Sequence, residues 1–335
     1  MNTSSAAVTP ERIMQFTWGF VPPLVLEAAI HHRVFDVLDE GPKTVKETAA
    51  ATGASERGLH SIMNVLVGLA FLARADGDRY ALTPESAAFL VSTKPGFQGG
   101  ILRHGSRQLI PKWLELTEIV GTGKPERVVN EQATGSEFFQ QFVTDIFPMS
   151  YPSAKVLAGH LGLGSGAKVL DLAAGSGVWS IALAESADGV TVTAVDWADV
   201  LPATRATVAR FGLSDRYTYV GGDLLEADFG HGHNVAVLGH ILHSEGEARS
   251  RRLLKKTFDA LAPGGTIAIG EFLVNKDRTG PVGSLFFATN MLVNTDEGDT
   301  YSFEEIGEWL REAGFVDARL LEVPGPSPLV LATKA

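Results

Sequence analysis

Two patterns of apolar residues divide the chain. Up to about residue 160, apolar residues recur every three or four positions, which is typical of helices. From about residue 165, five apolar runs alternate with helix-like stretches, which predicts a parallel sheet covered by helices on both faces. The runs are AKVLDLAA, VTVTAVDW, RYTYVGGD, HNVAVLGHI and GTIAIGEFLV. The sequence therefore predicts an α/β fold with a doubly wound, Rossmann-like sheet, preceded by a mainly helical domain.

The helical part has the features of a winged helix. One helix is predicted from about residue 22 to a stop at Gly41. A second helix follows Thr44 and Glu47, which have capping-box spacing, and a third follows Ser55 as its N-cap. The stretch FLARADGDRYALT then alternates around an Asp-Gly-Asp turn, which is typical of a β-hairpin. Three helices and a two-stranded wing make a winged helix.

The remaining segments complete the two domains. Residues 96–160 are predicted to form further helices, with breaks at GTGKPE and near Pro148 and Pro152. The last part of the chain predicts one capped helix and then two strands joined by a Pro/Gly turn, so that the sheet ends with an antiparallel strand. We place the domains at residues 1–155 and 156–335.

Composition narrows the classes of partner. The chain has 335 residues, 45% of them hydrophobic and 20% charged, which is ordinary for a globular protein. A net charge of −11 argues against an extended phosphate-binding surface, so no nucleic-acid partner is expected. Cysteine is absent, which excludes disulfides and thiolate chemistry. Neither a signal segment nor an apolar run of about 20 residues is recognised, so we expect a cytoplasmic protein without a membrane partner.

The stretch VLDLAAGSGVWSIALAES, residues 169–186, predicts a strand, a glycine turn and a helix. Gly175 and Gly177 let the backbone turn tightly and approach a ligand closely. The third glycine of the dinucleotide fingerprint is replaced by Ser180. Asp171, ahead of the turn, would repel a pyrophosphate, whereas it would attract a ligand that carries an ammonium and a sulfonium. The turn therefore favours S-adenosylmethionine as cofactor.

Acidic residues also end the next two predicted strands. Asp196 lies where an acidic side chain accepts hydrogen bonds from ribose hydroxyls in nucleotide-binding folds. Asp223, in YVGGDLL, is predicted to accept a hydrogen bond from the adenine amino group, with Leu224 beside it in the same site. An acidic residue in such a loop also commonly caps a helix. Three acidic residues in order on successive strands favour a nucleotide site.

With these residues in view, the chain resembles the class I methyltransferases, and more narrowly the two-domain small-molecule O-methyltransferases of the plant caffeate type and their bacterial relatives. The resemblance rests on DLAAGSG, VDWADV, GGDLLE, HILHSEGEARSRRLLKKTFDALAPGGTIAIGEF and REAGF. It implies a methyltransferase sheet that binds S-adenosylmethionine and a homodimer formed through the N-terminal domain. It also implies that Ser153, in MSYPSA, lies by the cofactor carboxylate and Met149 beside the acceptor.

The resemblance further implies a general base. The histidine of the family's HDWSDE stretch lines up with HSEGEA and so with His243, and the supporting glutamate falls at Glu271. A lysine and an aromatic residue before the base in plant members read as Gly239 and His240. The alternatives are that His243 only starts a helix and that Glu271 only caps a loop. No metal is expected, because GHILH lacks a third nearby His or Cys.

These features predict methyl transfer to a hydroxyl of a small, aromatic molecule. The stretch FFATNML is expected to be core, although acceptor pockets often follow the fifth strand, so Phe287, Asn290 and Met291 are candidate acceptor contacts. Alternatives are C- or N-methylation on the same scaffold, cofactor binding without turnover, and a ligand-sensing DNA-binding regulator. The regulator is disfavoured because the third helix offers only Arg57 and His60 for nucleic-acid contact. That helix is otherwise read as apolar all round, so a partner subunit is expected to cover it.

Overall fold

The computed structural model describes residues 8–335 as two compact units. The first ends at Leu109 and the second spans Ile110–Ala335. The division comes earlier than the sequence suggests because the segments after Leu109 contact helices of the second unit. In one such contact, the backbone N–H of Val129 donates over 2.8 Å to the carbonyl of Asn294, in the helix Val282–Asn294. The predicted class, a helical N-terminal region followed by a doubly wound α/β sheet, is confirmed.

The first unit is helical, with a small antiparallel sheet. Its helices are α1 (Glu11–Met14), α2 (Val21–His31), α3 (Val34–Asp39), α4 (Val45–Thr52), α5 (Glu56–Gly68), α6 (Pro84–Phe89) and α7 (Gly99–His104), with a 3-10 helix at Gln15–Trp18 and a π-helical turn at Gly105–Leu109. Its strands are β1 (Lys43–Thr44), β2 (Leu72–Arg74) and β3 (Arg79–Leu82), in the order β1-β3-β2. The predicted hairpin is β2–β3, and β1 adds a third strand.

Two expectations for this unit are wrong. The single helix predicted up to Gly41 is divided into α2 and α3, because Arg33 adopts a left-handed conformation with φ of 57° that ends the helical hydrogen bonding. Helix α5 is not apolar all round. It buries Leu59, Met63 and Leu66 and exposes a polar face, so it needs no partner subunit to cover it.

Exposed apolar side chains lie instead near the start of the unit. Ile13, Phe16, Trp18 and Phe20 are 72%, 71%, 71% and 55% exposed. Among the described residues, one helical stretch, Glu11–His31, is long and apolar enough to cross a membrane by length and composition alone. This differs from the expectation of no such segment, which considered only uninterrupted apolar runs.

The second unit supplies the remaining helices. They are α8 (Ile110–Trp113), α9 (Leu116–Thr122), α10 (Gln132–Phe142), α11 (Phe147–Leu161), α12 (Val178–Ser186), α13 (Leu201–Arg210), α14 (Leu242–Ala260), α15 (Val282–Asn294) and α16 (Phe303–Ala313), with a 3-10 turn at Ser214–Arg216. Helix α11 continues through Pro152, so the predicted break there is wrong. Pro148 occupies the helix start, where no N–H is needed, and Pro152 removes one backbone hydrogen bond.

The sheet of this unit has seven strands in the order β6-β5-β4-β7-β8-β10-β9. They are β4 (Lys168–Leu172), β5 (Thr191–Asp196), β6 (Tyr217–Gly221), β7 (His233–Gly239), β8 (Leu261–Gly270), β9 (Phe315–Leu321) and β10 (Leu329–Lys334). Strands β4 to β8 are parallel, and β10 runs antiparallel between β8 and β9. All five predicted runs and the final antiparallel strand are confirmed. The strand order reverses between β4 and β7, where ligands bind in folds of this kind.

Packing of the Trp179 indole fixes the carboxyl ends of strands β7 and β8. Gly239 and Gly270 are register partners at the ends of β7 and β8. Trp179, in α12, lies against both glycines. A Cβ atom at Gly239 would be 2.2 Å from the Trp179 Nε1, and one at Gly270 would be 3.2 Å from its Cζ2. Glycine is therefore required at position 239, and the residues that follow both strands leave the sheet side by side.

Candidate active site

The predicted strand, glycine turn and helix are present as β4, the turn and α12. Gly175 and Gly177 have φ of 54° and 76°, in the left-handed region that glycine adopts without strain. The hydroxyl of Thr204 donates to the Gly175 carbonyl over 2.7 Å and so holds the turn. The helix begins directly after Gly177, so its first N–H groups lie beside the turn.

Asp171 lies in β4 beneath this turn and is 1% exposed. One carboxylate oxygen accepts a hydrogen bond from the Ser180 hydroxyl. The other oxygen, Oδ1, is buried and has no hydrogen-bond partner among the residues that the structure describes. Burial, and then the nearby charge of Asp196, raise the pKa of Asp171 to about 7. A nearby cation would stabilise the ionised form.

Asp196 ends β5 and is held by two backbone donors. Its Oδ2 accepts from the N–H of Gly175 over 2.7 Å and its Oδ1 from the N–H of Trp197 over 2.7 Å. Burial raises the pKa of Asp196 to about 6, although these two hydrogen bonds oppose the rise. Each oxygen keeps a second lone pair that a ligand hydroxyl can use. The carboxylate is thus fixed in place beside the glycine turn.

Asp223 has a partner that sequence reasoning missed. Its Oδ2 forms an ion pair with Arg249 at 2.7 Å, and its Oδ1 accepts from the Leu225 N–H over 2.8 Å. Arg249 also binds Glu245 at 2.7 Å and so bridges two acids. Leu224, next to Asp223, is buried. In the sequence, the four-residue spacing of Glu245 and Arg249 on a predicted helix could have indicated that Arg249 forms an ion pair.

His243 and Glu271 meet across the ends of two neighbouring strands. His243 lies in the first turn of α14, after β7, and Glu271 directly follows β8. The Nδ1 of His243 is 2.7 Å from Glu271 Oε2, and the backbone N–H of His243 donates to Oε1 over 3.3 Å. Both side chains are buried.

The pair also determines which nitrogen of the imidazole carries the proton. Burial alone would raise the pKa of Glu271, but the charge and hydrogen bonds of His243 outweigh it and keep the pKa below its ordinary value. An ionised carboxylate only accepts hydrogen bonds, so the Nδ1 of His243 carries the proton. In the neutral imidazole the Nε2 is then the acceptor, as a general base requires.

Aromatic rings lie around His243. The Phe287 ring is edge-on to His243 with centroids 4.8 Å apart, and Phe272 is stacked on Phe287 at 3.9 Å. Phe272 was not among the predicted residues, although it directly follows Glu271. The other two candidates differ in environment: Asn290 accepts from the indole N–H of Trp113 over 2.9 Å. Met291 is 5% exposed and packs in the interior.

A small cavity of about 20 Å³ lies beside the pair, enough for one water molecule. Met149, Ser153, His240 and Glu271 contribute to its wall. The Ser153 hydroxyl donates to the carbonyl of Pro324. Burial lowers the pKa of His240 to about 4. The two residues of α11 that the resemblance assigns to cofactor and acceptor thus lie around the same cavity as Glu271.

The seven-stranded doubly wound sheet, the glycine turn with its carboxylates and the His–Glu pair define a methyltransferase of the Rossmann-like class. Residues 14–92 match the dimerisation domain of O-methyltransferases, and residues 113–316 match the O-methyltransferase domain. The chain belongs to the O-methyltransferase family.

Individual relatives agree with this assignment. The 3-hydroxy-5-methyl-1-naphthoate 3-O-methyltransferase of Streptomyces sahachiroi is 30% identical, over 97% of this chain and 96% of the relative. The tetracenomycin polyketide synthesis 8-O-methyl transferase of Streptomyces glaucescens is 28% identical over 97% of both chains. Human N-acetylserotonin methyltransferase, solved in complex with S-adenosylmethionine, has the same fold, with a TM-score of 0.86, 24% identity and full coverage of both chains. The predicted family, enzyme class and methyl donor are confirmed.

The buried Asp171 predicts an unusual pH dependence of stability. Its pKa of about 7 exceeds the unfolded value near 4, so its stabilising contribution is complete below about pH 4 and is lost as the pH rises towards 7. Asp171→Asn keeps a neutral side chain at every pH. Between pH 5 and pH 8, the unfolding free energy of the unmodified protein should therefore fall by about 2–3 kcal/mol more than that of the variant.

Urea unfolding at both pH values measures this difference. Asp188→Asn, at an exposed aspartate of the same unit, is the matched control and should follow the unmodified protein. If the unfolding free energies of the unmodified protein and of Asp171→Asn changed equally with pH, Asp171 would be shown to ionise normally.

Proposed function

We propose that the protein transfers the methyl group of S-adenosylmethionine to a hydroxyl of a small aromatic molecule, with His243 as the general base. The observation that carries the proposal is the 2.7 Å contact between His243 Nδ1 and Glu271. It directs Nε2 of a buried imidazole away from the carboxylate, and Phe287 packs beside the ring. A base oriented in this way suits the deprotonation of a hydroxyl next to a flat ring.

The cofactor end of the site suits a cationic nucleoside. Bound there, S-adenosylmethionine supplies an electrophilic methyl group. Gly175 and Gly177 let the backbone approach the ligand, and Asp196 accepts hydrogen bonds from the ribose hydroxyls. The desolvated carboxylate of Asp171, with its unpaired oxygen, attracts the positive charge. Support for this assignment comes from the turn geometry and the fixed carboxylate of Asp196.

The remaining cofactor contacts extend the same proposal. Asp223 accepts from the adenine amino group, and Arg249 holds its carboxylate in one orientation. Leu224 provides an apolar surface beside the adenine. Ser153, whose hydroxyl is buried at the small cavity, lies by the cofactor carboxylate.

His243 raises the nucleophilicity of the acceptor. A phenol with a pKa of about 10 is mostly protonated at neutral pH and is a poor nucleophile. The Nε2 of His243 accepts the hydroxyl proton as the oxygen reacts, and Glu271 stabilises the imidazolium through Nδ1. The other main contribution is positioning, because binding two reactants in line removes much of the entropic cost of their encounter.

The aromatic residues near the base suit a flat acceptor. Phe272 and Phe287 are stacked beside His243, and Met149, 36% exposed, lies on α11. Asn290 and Met291 belong to α15, the helix that carries Phe287, and they help to position it. The relative from Streptomyces sahachiroi is named for a hydroxynaphthoate, and other relatives are named for acetylserotonin. These names support a hydroxylated aromatic acceptor and favour O-methylation over methylation of carbon or nitrogen.

The first unit makes the protein a homodimer. It contains the part that matches the dimerisation domain, and its exposed Phe16, Trp18 and Phe20 form an apolar surface that water solvates poorly. A second copy of the chain is the occupant that this family match favours.

The cofactor assignment predicts the effect of Asp196→Ala. Loss of hydrogen bonds from a charged group should weaken S-adenosylmethionine binding by about 1.5–3 kcal/mol, or about 10- to 150-fold, while the fold persists. Isothermal titration calorimetry measures the change. Asp199→Ala, at an exposed aspartate just beyond the strand, should bind normally. Unchanged affinity in Asp196→Ala would remove Asp196 from the site.

The base assignment predicts the effect of His243→Ala. The value of kcat should fall about 10²- to 10⁴-fold, with cofactor affinity nearly intact, because a base acts on the chemical step alone. Activity should recover in part at high pH, where a phenol ionises unaided. Methyl-transfer assays with single-turnover rates at several pH values provide the measurement. His160→Ala, at an exposed histidine of α11, is the control. An unchanged chemical rate at pH 7 would show that positioning alone accounts for catalysis and that His243 is not the base.

The dimer assignment predicts a mass of twice the 35.7 kDa chain at micromolar concentration. Trp18→Glu places a charge in the apolar surface and should shift light scattering towards the single-chain mass. Leu114→Glu, at a residue 81% exposed in the second unit, should leave the mass unchanged. A single-chain mass for the unmodified protein, with attachment of Glu11–His31 to lipid vesicles, would show that this surface serves a membrane instead.

A further inference from the structure

His240 is a buried ionisable residue beside the proposed base, and the proposed mechanism does not use it. It follows β7 and has a left-handed backbone conformation with φ of 66°, which is uncommon for a residue with a side chain. Its backbone N–H donates to the Gly270 carbonyl over 2.8 Å. This contact ties His240 to the end of β8, directly before Glu271, so the imidazole and the carboxylate share the same edge of the sheet.

The ring of His240 has an unsatisfied polar atom. Its Nδ1 is inaccessible to solvent and has no hydrogen-bond partner within residues 8–335. A buried nitrogen without a partner is costly, and native structures contain few of them. His240 and Glu271 also line the small cavity, whose volume of about 20 Å³ accommodates one water molecule or one ion. Both observations indicate that a ligand can bind at this point.

Three potential ligands lie close together beside this cavity, although His243 does not line it. His240, His243 and Glu271 each offer one ligand atom, and these atoms lie within 4.8 Å of one another. Two imidazoles and one carboxylate are the ligand set of zinc sites that keep a position open for water. Imidazole nitrogen also binds Co²⁺, Ni²⁺ and Cu²⁺, whereas Mg²⁺ prefers a shell of oxygen atoms. The chemistry therefore selects a divalent transition metal.

We propose that His240, His243 and Glu271 bind a divalent transition-metal cation such as Zn²⁺, and that its binding inhibits methyl transfer. A cation on Nε2 of His243 occupies the atom that would accept the acceptor proton. A cation on Nδ1 displaces the hydrogen bond to Glu271 and leaves the ring proton on Nε2, which can then only donate. In both geometries the base is lost. The inhibition rests on the proposed function, whereas the binding does not.

Binding is tested on the full chain, without a histidine tag, by titration with Co²⁺ and visible absorption spectroscopy. The unmodified protein should bind one Co²⁺ per chain. His240→Phe keeps a flat ring without a ligand atom and should weaken this binding at least ~10-fold. His160→Phe, at an exposed histidine, should bind as the unmodified protein does. Failure to bind one Co²⁺, or equal binding by His240→Phe, overturns the site.

Inhibition is measured separately in methyl-transfer assays with Zn²⁺, each variant being compared with its own rate in the presence of a chelator. Zn²⁺ should inhibit the unmodified protein and His160→Phe, a chelator should restore the rate, and Mg²⁺ should have no effect. His240→Phe should be resistant to the same Zn²⁺ concentration. Site-specific Co²⁺ binding with undiminished methyl transfer at saturating Zn²⁺ would overturn the inhibition and contradict the assignment of His243 as base, while the metal site itself would stand.

Discussion

The hydrogen bond between His243 and Glu271 is the interaction on which the candidate active site depends, and the register of the sheet makes it possible. Strands β7 and β8 run parallel with Gly239 opposite Gly270, so the residues that follow them emerge at one edge. Trp179 packs on both glycines and fixes that edge. A buried donor and a buried carboxylate, each able to satisfy the other, then stabilise a single imidazole tautomer. The geometry of the His243–Glu271 pair thus depends on the packing of the Trp179 indole.

Electrostatics at the neighbouring strand ends complements that pair. Asp171 and Asp196 are desolvated, both have raised pKa values, and neither forms an ion pair in the part of the chain that the structure describes. Two unpaired carboxylates this close repel each other, and a cationic ligand relieves the repulsion. Asp223 differs because it is paired with Arg249, which it shares with Glu245. The unpaired negative charge therefore lies at Asp171 and Asp196, where we propose that the sulfonium and the ammonium bind, and the charge at Asp223 is partly compensated.

Much of this architecture could be predicted because its causes are local in sequence. Buried strands require apolar runs, and a tight turn requires glycine, so the sheet and the cofactor turn were recognisable, and the family resemblance led to His243 and Glu271. The left-handed Arg33, which divides a helix, has no comparable signature. An arginine that bridges two acids, such as Arg249, looks the same in sequence as one on a solvated helix. The metal site that we propose at His240 is not visible in the neighbouring sequence, because its third ligand, Glu271, follows the next strand of the sheet.

The contact between Trp179 and Gly239 also constrains how such sites diverge. The resemblance to the plant enzymes implies a lysine at the position of Gly239 in those proteins. A lysine cannot enter here while the indole remains, because its Cβ would overlap the ring. A smaller side chain at position 179 would remove this overlap, so the effects of substitutions at positions 179 and 239 are expected to be non-additive, as they are for contacting residues. The residue at the end of β7 and the residue in α12 are therefore expected to change together.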